Sequence, residues 1–192
     1  MGGVTGLKQR FARTLLRICG WRIEGSRPTI DRYVLIAAPH TSNWDFVWLI
    51  MMAMALDMRI SWLGKHTLFH GPAGVVMRKL GGIPVVRDSG GDYVKRLAER
   101  FADARQLALV IPAEGTRSMV DAWRSGFYHI ARAAEVPVVL SFLDFPSRRG
   151  GIGPCVALTG DMAADMDRIR GFYEGITGKH PQRSGPIRLP GE

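Results

Sequence analysis

His40 and Asp45 are the first residues whose types and spacing could perform chemistry. They lie in residues 38–45, between an apolar run at 33–37 and a longer one at 46–56. This pattern predicts a strand, a tight loop and a helix, with both residues on the loop. A neutral imidazole can take a proton near neutral pH, and a nearby carboxylate can fix its tautomer and stabilise the imidazolium. The pair is therefore a candidate base and its orienting residue.

Asp45 also has a purely structural interpretation. Ser42 and Asp45 form a Ser-x-x-Asp pattern, which is typical of a helix start. In that role the carboxylate only accepts hydrogen bonds from backbone N–H groups. Taken alone, the spacing of His40 and Asp45 leaves both interpretations open.

A second candidate stretch follows the buried-strand pattern of residues 107–110. It reads Glu114-Gly115-Thr116-Arg117 and is predicted to be a loop. Gly115 lets the backbone approach a ligand closely, and Thr116 and Arg117 supply a hydroxyl and a guanidinium, so the three can cradle a phosphomonoester. A carboxylate does not bind phosphate favourably, so Glu114 is expected to position Arg117 or a neighbouring N–H. The alternative is a surface turn with an ion pair between Glu114 and Arg117.

Together the two stretches resemble the signatures of the glycerophospholipid acyltransferase family, whose lysophosphatidic acid acyltransferases carry H-x-x-x-x-D followed by E-G-T-R. Four blocks occur in the family's order, at residues 40–45, 82–87, 114–117 and 136–139. The resemblance covers roughly residues 30 to 145. Pro39 and Ala113 stand where the family commonly has Asn and Pro.

This resemblance implies that His40, oriented by Asp45, takes the proton of an acceptor hydroxyl as that hydroxyl attacks the thioester of acyl-CoA or acyl carrier protein. The acceptor implied is a lysophospholipid or a glycerol-phosphate-type molecule, in phospholipid synthesis or remodelling. Neither a metal nor a cofactor is implied beyond the acyl donor. Two rival functions remain open: a lipid transacylase or hydrolase using the same pair, and a non-enzymatic peripheral module that binds phospholipids.

Substrate binding is implied at five positions of the second and third blocks. These are Arg87, Glu114, Gly115, Thr116 and Arg117, of which Arg87, Thr116 and Arg117 are expected to hold the acceptor's phosphate. Lys65 is a further candidate phosphate contact or else a solvated lysine. The methionines at 51, 52, 54 and 58 are expected either in the core or along a slot for an acyl chain.

Composition limits the architecture and the partners. The chain has 192 residues, enough for one domain, with 26 Lys and Arg against 17 Asp and Glu and a net charge of +9. Such a charge suits an anionic partner. Aromatic residues are not interleaved with the basic ones, which favours an anionic membrane surface and phosphorylated substrates over nucleic acid. Only Cys19 and Cys155 are present, which indicates a reducing cytoplasm.

The expected fold is a single acyltransferase-like α/β domain, a mostly parallel sheet flanked by helices. Residues 1–25 are predicted to contain a basic amphipathic helix, residues 26–177 the acyltransferase domain, and residues 178–192 a loose tail rich in Pro and Gly. The N-terminal helix has an apolar face formed by Leu7, Phe11, Leu15 and Ile18. It is either a peripheral membrane anchor or a first helix packed on the domain. The longest apolar run, 46–56, is too short to span a bilayer, so a peripheral position on the inner face of the cell membrane is expected.

Overall fold

Seven strands form one sheet in the computed structural model, which describes residues 3–85 and 91–191. They are β1 (Arg22–Glu24), β2 (Arg32–Ala37), β3 (Ile60–Lys65), β4 (Gly82–Val85), β5 (Leu107–Pro112), β6 (Val138–Asp144) and β7 (Arg149–Val156). Their order across the sheet is β1-β7-β6-β2-β5-β3-β4, and every neighbouring pair is parallel except β6 and β7. The predicted α/β fold with a mostly parallel sheet is confirmed.

Helices cover the sheet. They are α1 (Gly3–Ile18), α2 (Trp44–Ala55), α3 (Gly71–Lys79), α4 (Gly91–Asp103), α5 (Gly126–Ala133) and α6 (Met162–Tyr173), with short 3-10 helices at His66–Phe69 and Pro181–Arg183. One core cluster joins the sheet to α4, α5 and α6, and a second joins it to α2 and the segment around Phe69. Because parallel strands covered on both faces are buried throughout, β2, β5 and β6 are apolar along most of their length.

The central position of β2 brings the candidate residues together. Ala37, its last residue, is paired with Pro112 of β5 on one side and with Ser141 of β6 on the other. The loops that follow β2 and β5 therefore start next to each other at the carboxyl edge of the sheet. This edge is where ligands bind in open parallel sheets.

Helix α1 packs on the domain through a side that the sequence did not single out. Ala12 and Leu16 are fully buried in a cluster with residues of α2. The side chains of Gln9 and Arg13 donate hydrogen bonds to the Ala55 carbonyl at 3.1 and 2.9 Å, where α2 ends and carbonyls lack helical partners.

The predicted apolar face of α1 is largely exposed. Leu7, Phe11 and Ile18 are 71%, 60% and 77% exposed, respectively. Packing on the domain therefore leaves an apolar surface available on the same helix. In the part of the chain that the structure describes, no helix is long and apolar enough to cross a membrane.

Helix α6 is held by a buried carboxylate. Asp165 accepts hydrogen bonds from the Thr159 N–H and hydroxyl and from the Tyr128 hydroxyl, and it is ion-paired with Arg168. Burial alone would raise the pKa of Asp165, but the hydrogen bonds from Thr159, Tyr128 and the Gly160 N–H outweigh it and lower that pKa to about 2.

The tail was expected to be loose from residue 178, but the structure packs it on the domain. Leu189 is buried, and the Trp123 N–H donates to the Arg188 carbonyl at 2.8 Å. The Pro181–Arg183 turn forms a 3-10 helix. A buried apolar anchor and hydrogen bonds to the domain thus order a segment that has no regular hydrophobic period of its own.

Candidate active site

The loop after β2 is held by Asp45, whose buried side chain lies in the first turn of α2 and accepts hydrogen bonds from the loop backbone. Its Oδ2 atom accepts hydrogen bonds from the Thr41 N–H at 2.7 Å and the Ser42 N–H at 2.8 Å. The same atom lies 3.3 Å from His40 Nδ1. The structural and the catalytic interpretations of Asp45 therefore apply together: one carboxylate oxygen fixes the loop backbone and faces the imidazole.

His40 is placed to act through its other ring nitrogen. Its side chain is 18% exposed and lines a cavity. With Nδ1 facing the Asp45 carboxylate, the favoured neutral tautomer carries its proton on Nδ1. Nε2 is then free to accept a proton from a substrate.

Glu114 holds the backbone of His40. It is 3% exposed, and its Oε1 accepts a hydrogen bond from the His40 backbone N–H at 3.0 Å. Burial raises the pKa of Glu114, because the carboxylate loses solvation. The sequence predicts Glu114 among the substrate-binding residues, with the role of positioning Arg117 or a neighbouring N–H. In the structure it holds a neighbouring N–H, that of His40. Within the described residues it forms no ion pair with Arg117.

The loop after Glu114 turns sharply at Gly115. This residue has a φ of +69°, and a Cβ there would lie 2.9 Å from Arg124 Cγ, so both backbone conformation and space require glycine. Thr116 Oγ1 accepts a hydrogen bond from the Ser118 N–H at 3.3 Å, and the Arg117 side chain is exposed. Gly115, Thr116 and Arg117 all line the same cavity as His40.

That cavity has a volume of about 790 Å³ and lies between the sheet and α2. Its apolar wall includes Leu35, Phe46, Leu49, Met52, Met58 and Trp62. Its polar side chains include four at the carboxyl edge of the sheet: His40 after β2, Lys65 at the end of β3, and Thr116 and Arg117 after β5. Two of the four methionines considered for an acyl slot, Met52 and Met58, line the cavity.

Arg87 lies outside the described residues. The rings of His66 and His70 are 6.0 Å apart, and the described residues contain no group of three or more His, Cys, Asp or Glu that could hold a metal ion.

Two further side chains lie near this site. Lys65, a candidate phosphate contact or else a solvated lysine from the sequence, lines the cavity at the end of β3. The Arg124 side chain lies next to Gly115, where an added Cβ would come within 2.9 Å of Arg124 Cγ, and the Arg124 backbone N–H donates to the Ala113 carbonyl at 2.8 Å. Spacing along the chain does not reveal these contacts.

Comparisons with known proteins bear on the family and on the fold. Residues 20–140 match the model of the acyltransferase family. In structure, the chain resembles the 1-acyl-sn-glycerophosphate (LPA) acyltransferase PlsC of Thermotoga maritima with a TM-score of 0.64 and 17% identity, over 90% of this chain and 78% of that one. At this identity the likeness establishes the shared fold. No curated protein matches the chain in sequence. The family match covers the His40 and Glu114 loops and confirms the resemblance inferred from their motifs: the chain belongs to the acyltransferase family.

Proposed function

We propose that this acyltransferase moves a fatty acyl group from acyl-CoA or acyl carrier protein to the hydroxyl of a lysophospholipid or glycerol-phosphate-type acceptor, in phospholipid synthesis or remodelling. One observation carries the proposal. His40, backed by Asp45, lines a cavity whose wall is otherwise mostly apolar and whose polar edge bears Lys65 and Arg117. A base, an apolar slot and cations are the three features that joining a fatty acyl group to a phosphorylated alcohol requires.

In the reaction, the acceptor hydroxyl oxygen attacks the thioester carbonyl carbon while His40 Nε2 takes the hydroxyl proton. The C–O bond forms and the C–S bond breaks. The leaving thiolate takes the proton back from the imidazolium. Asp45, with Oδ2 3.3 Å from Nδ1, stabilises the imidazolium while it exists. The two substrates supply all atoms and electrons, so the step needs neither an acyl-enzyme nor a cofactor.

The acyl chain occupies the apolar part of the cavity. Met52 and Met58 there are unbranched and flexible, so they adapt to a hydrocarbon chain. Burying the chain removes apolar surface from water, which favours binding of long-chain donors over short ones. The thioester then lies near His40, at the edge where the β2 and β5 loops meet.

The acceptor's phosphate lies against Arg117 and Thr116, with Lys65 nearby. A guanidinium offers a planar fork of donors to phosphate, and the Thr116 hydroxyl adds another. Such positioning of the acceptor hydroxyl next to a base contributes several kcal/mol to lowering the barrier. Arg87 stays a predicted member of this group.

The substrate reaches the enzyme at an anionic membrane surface on the cytoplasmic side. Leu7, Phe11 and Ile18 of α1 and Trp44 of α2 are exposed apolar side chains, and α1 also carries exposed arginines. Apolar side chains beside cations suit an anionic lipid interface better than nucleic acid. Trp44 directly precedes Asp45, so docking there brings the site close to its lipid. Both cysteines are free thiols, as is typical of a reducing compartment.

The test is incubation of the purified protein with labelled acyl-CoA or acyl carrier protein and a panel of lysophospholipids and glycerol phosphate, followed by lipid mass spectrometry. Acylated acceptor is the expected product. Release of labelled fatty acid without acylated lipid would identify a hydrolase, and transfer between lipids without the thioester would identify a transacylase. Lipid binding without any product would identify a non-enzymatic module. Each of these three results contradicts the proposal.

A further inference from the structure

Residues 177–183 return the chain to the loop that carries His40. The segment begins after α6, beside the end of β6. There the Thr177 N–H donates to Asp144 Oδ1 at 3.1 Å, and the Phe145 N–H donates to the Thr177 carbonyl at 3.0 Å. It then runs past the β2 loop. This 177–183 segment lies beyond residues 20–140, which match the family model.

Thr41 is the contact point between the 177–183 segment and the loop. The His180 backbone N–H donates to Thr41 Oγ1 at 3.2 Å, and Arg183 Nη1 donates to the Thr41 carbonyl at 3.3 Å. Thr41 is 1% exposed. Its side chain and its backbone are therefore both held from the same segment.

Thr41 in turn contacts the oxygen that faces the imidazole. Its N–H donates to Asp45 Oδ2 at 2.7 Å, and that atom lies 3.3 Å from His40 Nδ1. A displacement of Thr41 thus moves the carboxylate oxygen that orients His40. The connection runs through two direct contacts and needs no longer path.

Gly178 allows the close approach of the segment. A Cβ at this position would lie 2.8 Å from Thr41 Oγ1, 3.0 Å from Thr41 Cγ2 and 3.2 Å from Pro39 Cβ. Gly178 is not in the left-handed region, so an alanine there is opposed by these contacts and not by backbone strain. The atoms it meets belong to the His40 loop itself.

We propose that the 177–183 segment is a positioning element of the acyl-transfer site, which holds the His40–Asp45 pair through Thr41 without touching substrate. The proposal rests on the proposed function, in which His40 is the base. It assigns a role in the reaction to residues outside the family's motifs. The expected signature is a fall in kcat with little change in KM, because the segment aligns the base and does not bind the acceptor.

The first test compares Gly178→Ala with Gly171→Ala. Gly171 lies in α6, and a Cβ there meets nothing within 4 Å. We expect Gly178→Ala to lower kcat by about tenfold to a hundredfold, since small misplacements of catalytic groups have effects of this size. Gly171→Ala is expected to leave kcat unchanged. A rise in KM at constant kcat for Gly178→Ala would overturn the proposal.

The second pair keeps the test decisive should Gly178→Ala not fold. Arg183 and Arg188 are both exposed, and each donates one side-chain hydrogen bond to a backbone carbonyl, of Thr41 and of Asp121, respectively. Only the first bond reaches the His40 loop. We expect Arg183→Ala to lower kcat about fivefold and Arg188→Ala to leave it unchanged. Equal kcat values for the two variants would contradict the positioning role.

A readout independent of activity separates this proposal from the proposed function. Imidazole nitrogen resonances are recorded by NMR, and the His40 signals are assigned as those lost in His40→Ala. Arg183→Ala is expected to shift the His40 signals and Arg188→Ala is expected not to. If the wild-type protein transfers no acyl group, the proposed function fails while the NMR comparison still decides the positioning. Unchanged His40 signals in Arg183→Ala would overturn the inference whatever the activity.

Discussion

Glu114→Gln tests the support behind the candidate base. The Glu114 carboxylate is 3% exposed and accepts the His40 N–H at 3.0 Å, and Oε2 has no partner among the described residues. Burial raises the pKa of Glu114. Glutamine has the same shape and keeps a carbonyl acceptor for the His40 N–H, but it does not titrate. The substitution therefore removes the charge and leaves the hydrogen bond.

The sign of the pH effect follows from the raised pKa of Glu114. In the unfolded chain a glutamate ionises near its ordinary pKa of about 4.3, whereas the folded protein keeps its proton to higher pH. Between the two values the folded state binds more protons. The free energy of unfolding thus falls as pH rises through this window, by at most about 1.4 kcal/mol per pH unit. Glu114→Gln lacks this dependence, so the stability of wild type relative to the variant falls with rising pH and then levels off.

Urea unfolding of both proteins between about pH 4 and pH 8 measures this difference. Glu99→Gln, on the exposed side of α4, is the control and is expected to show no comparable trend. A difference for Glu114→Gln that is flat or rises with pH would refute the reasoning. We also expect Glu114→Gln to keep kcat within severalfold of wild type, whereas Glu114→Ala leaves the His40 N–H unpaired at a cost of about 1–3 kcal/mol.

Three further predictions concern the acceptor, the fold and the membrane. Arg117→Ala is expected to raise the acceptor KM by roughly tenfold to a hundredfold, with partial rescue in Arg117→Lys, and a defect confined to the donor KM would contradict the phosphate role. Asp165 has a pKa lowered to about 2, so it contributes about 2 kcal/mol of stability above pH 4 that is lost as pH falls toward 2. Asp165→Asn should abolish this acid dependence of the free energy of unfolding, and an unaltered dependence would exclude Asp165 as its source. Phe11→Ser combined with Ile18→Ser is expected to weaken binding to anionic vesicles, measured by sedimentation, about tenfold or more. Val76→Ser, at an exposed apolar residue of α3, is the control and is expected to bind as wild type does. Vesicle binding of the double variant equal to that of wild type would exclude α1 as the membrane contact.

Sequence alone located the strands and loops whose signals are local. The apolar runs of β2 and β5 and the residues that end them predicted where the His40 and Glu114 loops lie, because a buried parallel strand is apolar throughout and its end is marked by Pro or polar residues. The Ser-x-x-Asp pattern likewise predicted that Asp45 would bind backbone N–H groups.

Features set by tertiary contacts were not predictable in this way. Strand β7, Arg149–Val156, contains three glycines and a proline and has no long apolar run, yet it lies between β6 and β1 in the sheet. The three-residue strand β1 is too short to show a period. Helix α1 buries Ala12 and Leu16 and exposes Leu7, Phe11 and Ile18 of the apolar face that the spacing predicted.

Partners of the site residues were also hidden from the sequence. Nothing in the spacing of Glu114 and His40 indicates that one holds the other's backbone N–H, because that contact depends on β2 and β5 being neighbours in the sheet. The packing of residues 178–191 similarly depends on Thr41 and Trp123, far away along the chain.

Turnover of His40→Ala decides whether His40 is the base in acyl transfer. Acyl transfer from labelled acyl-CoA or acyl carrier protein to the preferred lysophospholipid is measured for wild type, His40→Ala and His129→Ala, the last removing an exposed histidine of α5. We predict that His40→Ala loses at least about a hundredfold in kcat while its unfolding midpoint stays close to wild type, and that His129→Ala is unaffected. Turnover of His40→Ala within about tenfold of wild type would contradict the assignment of His40 as the base.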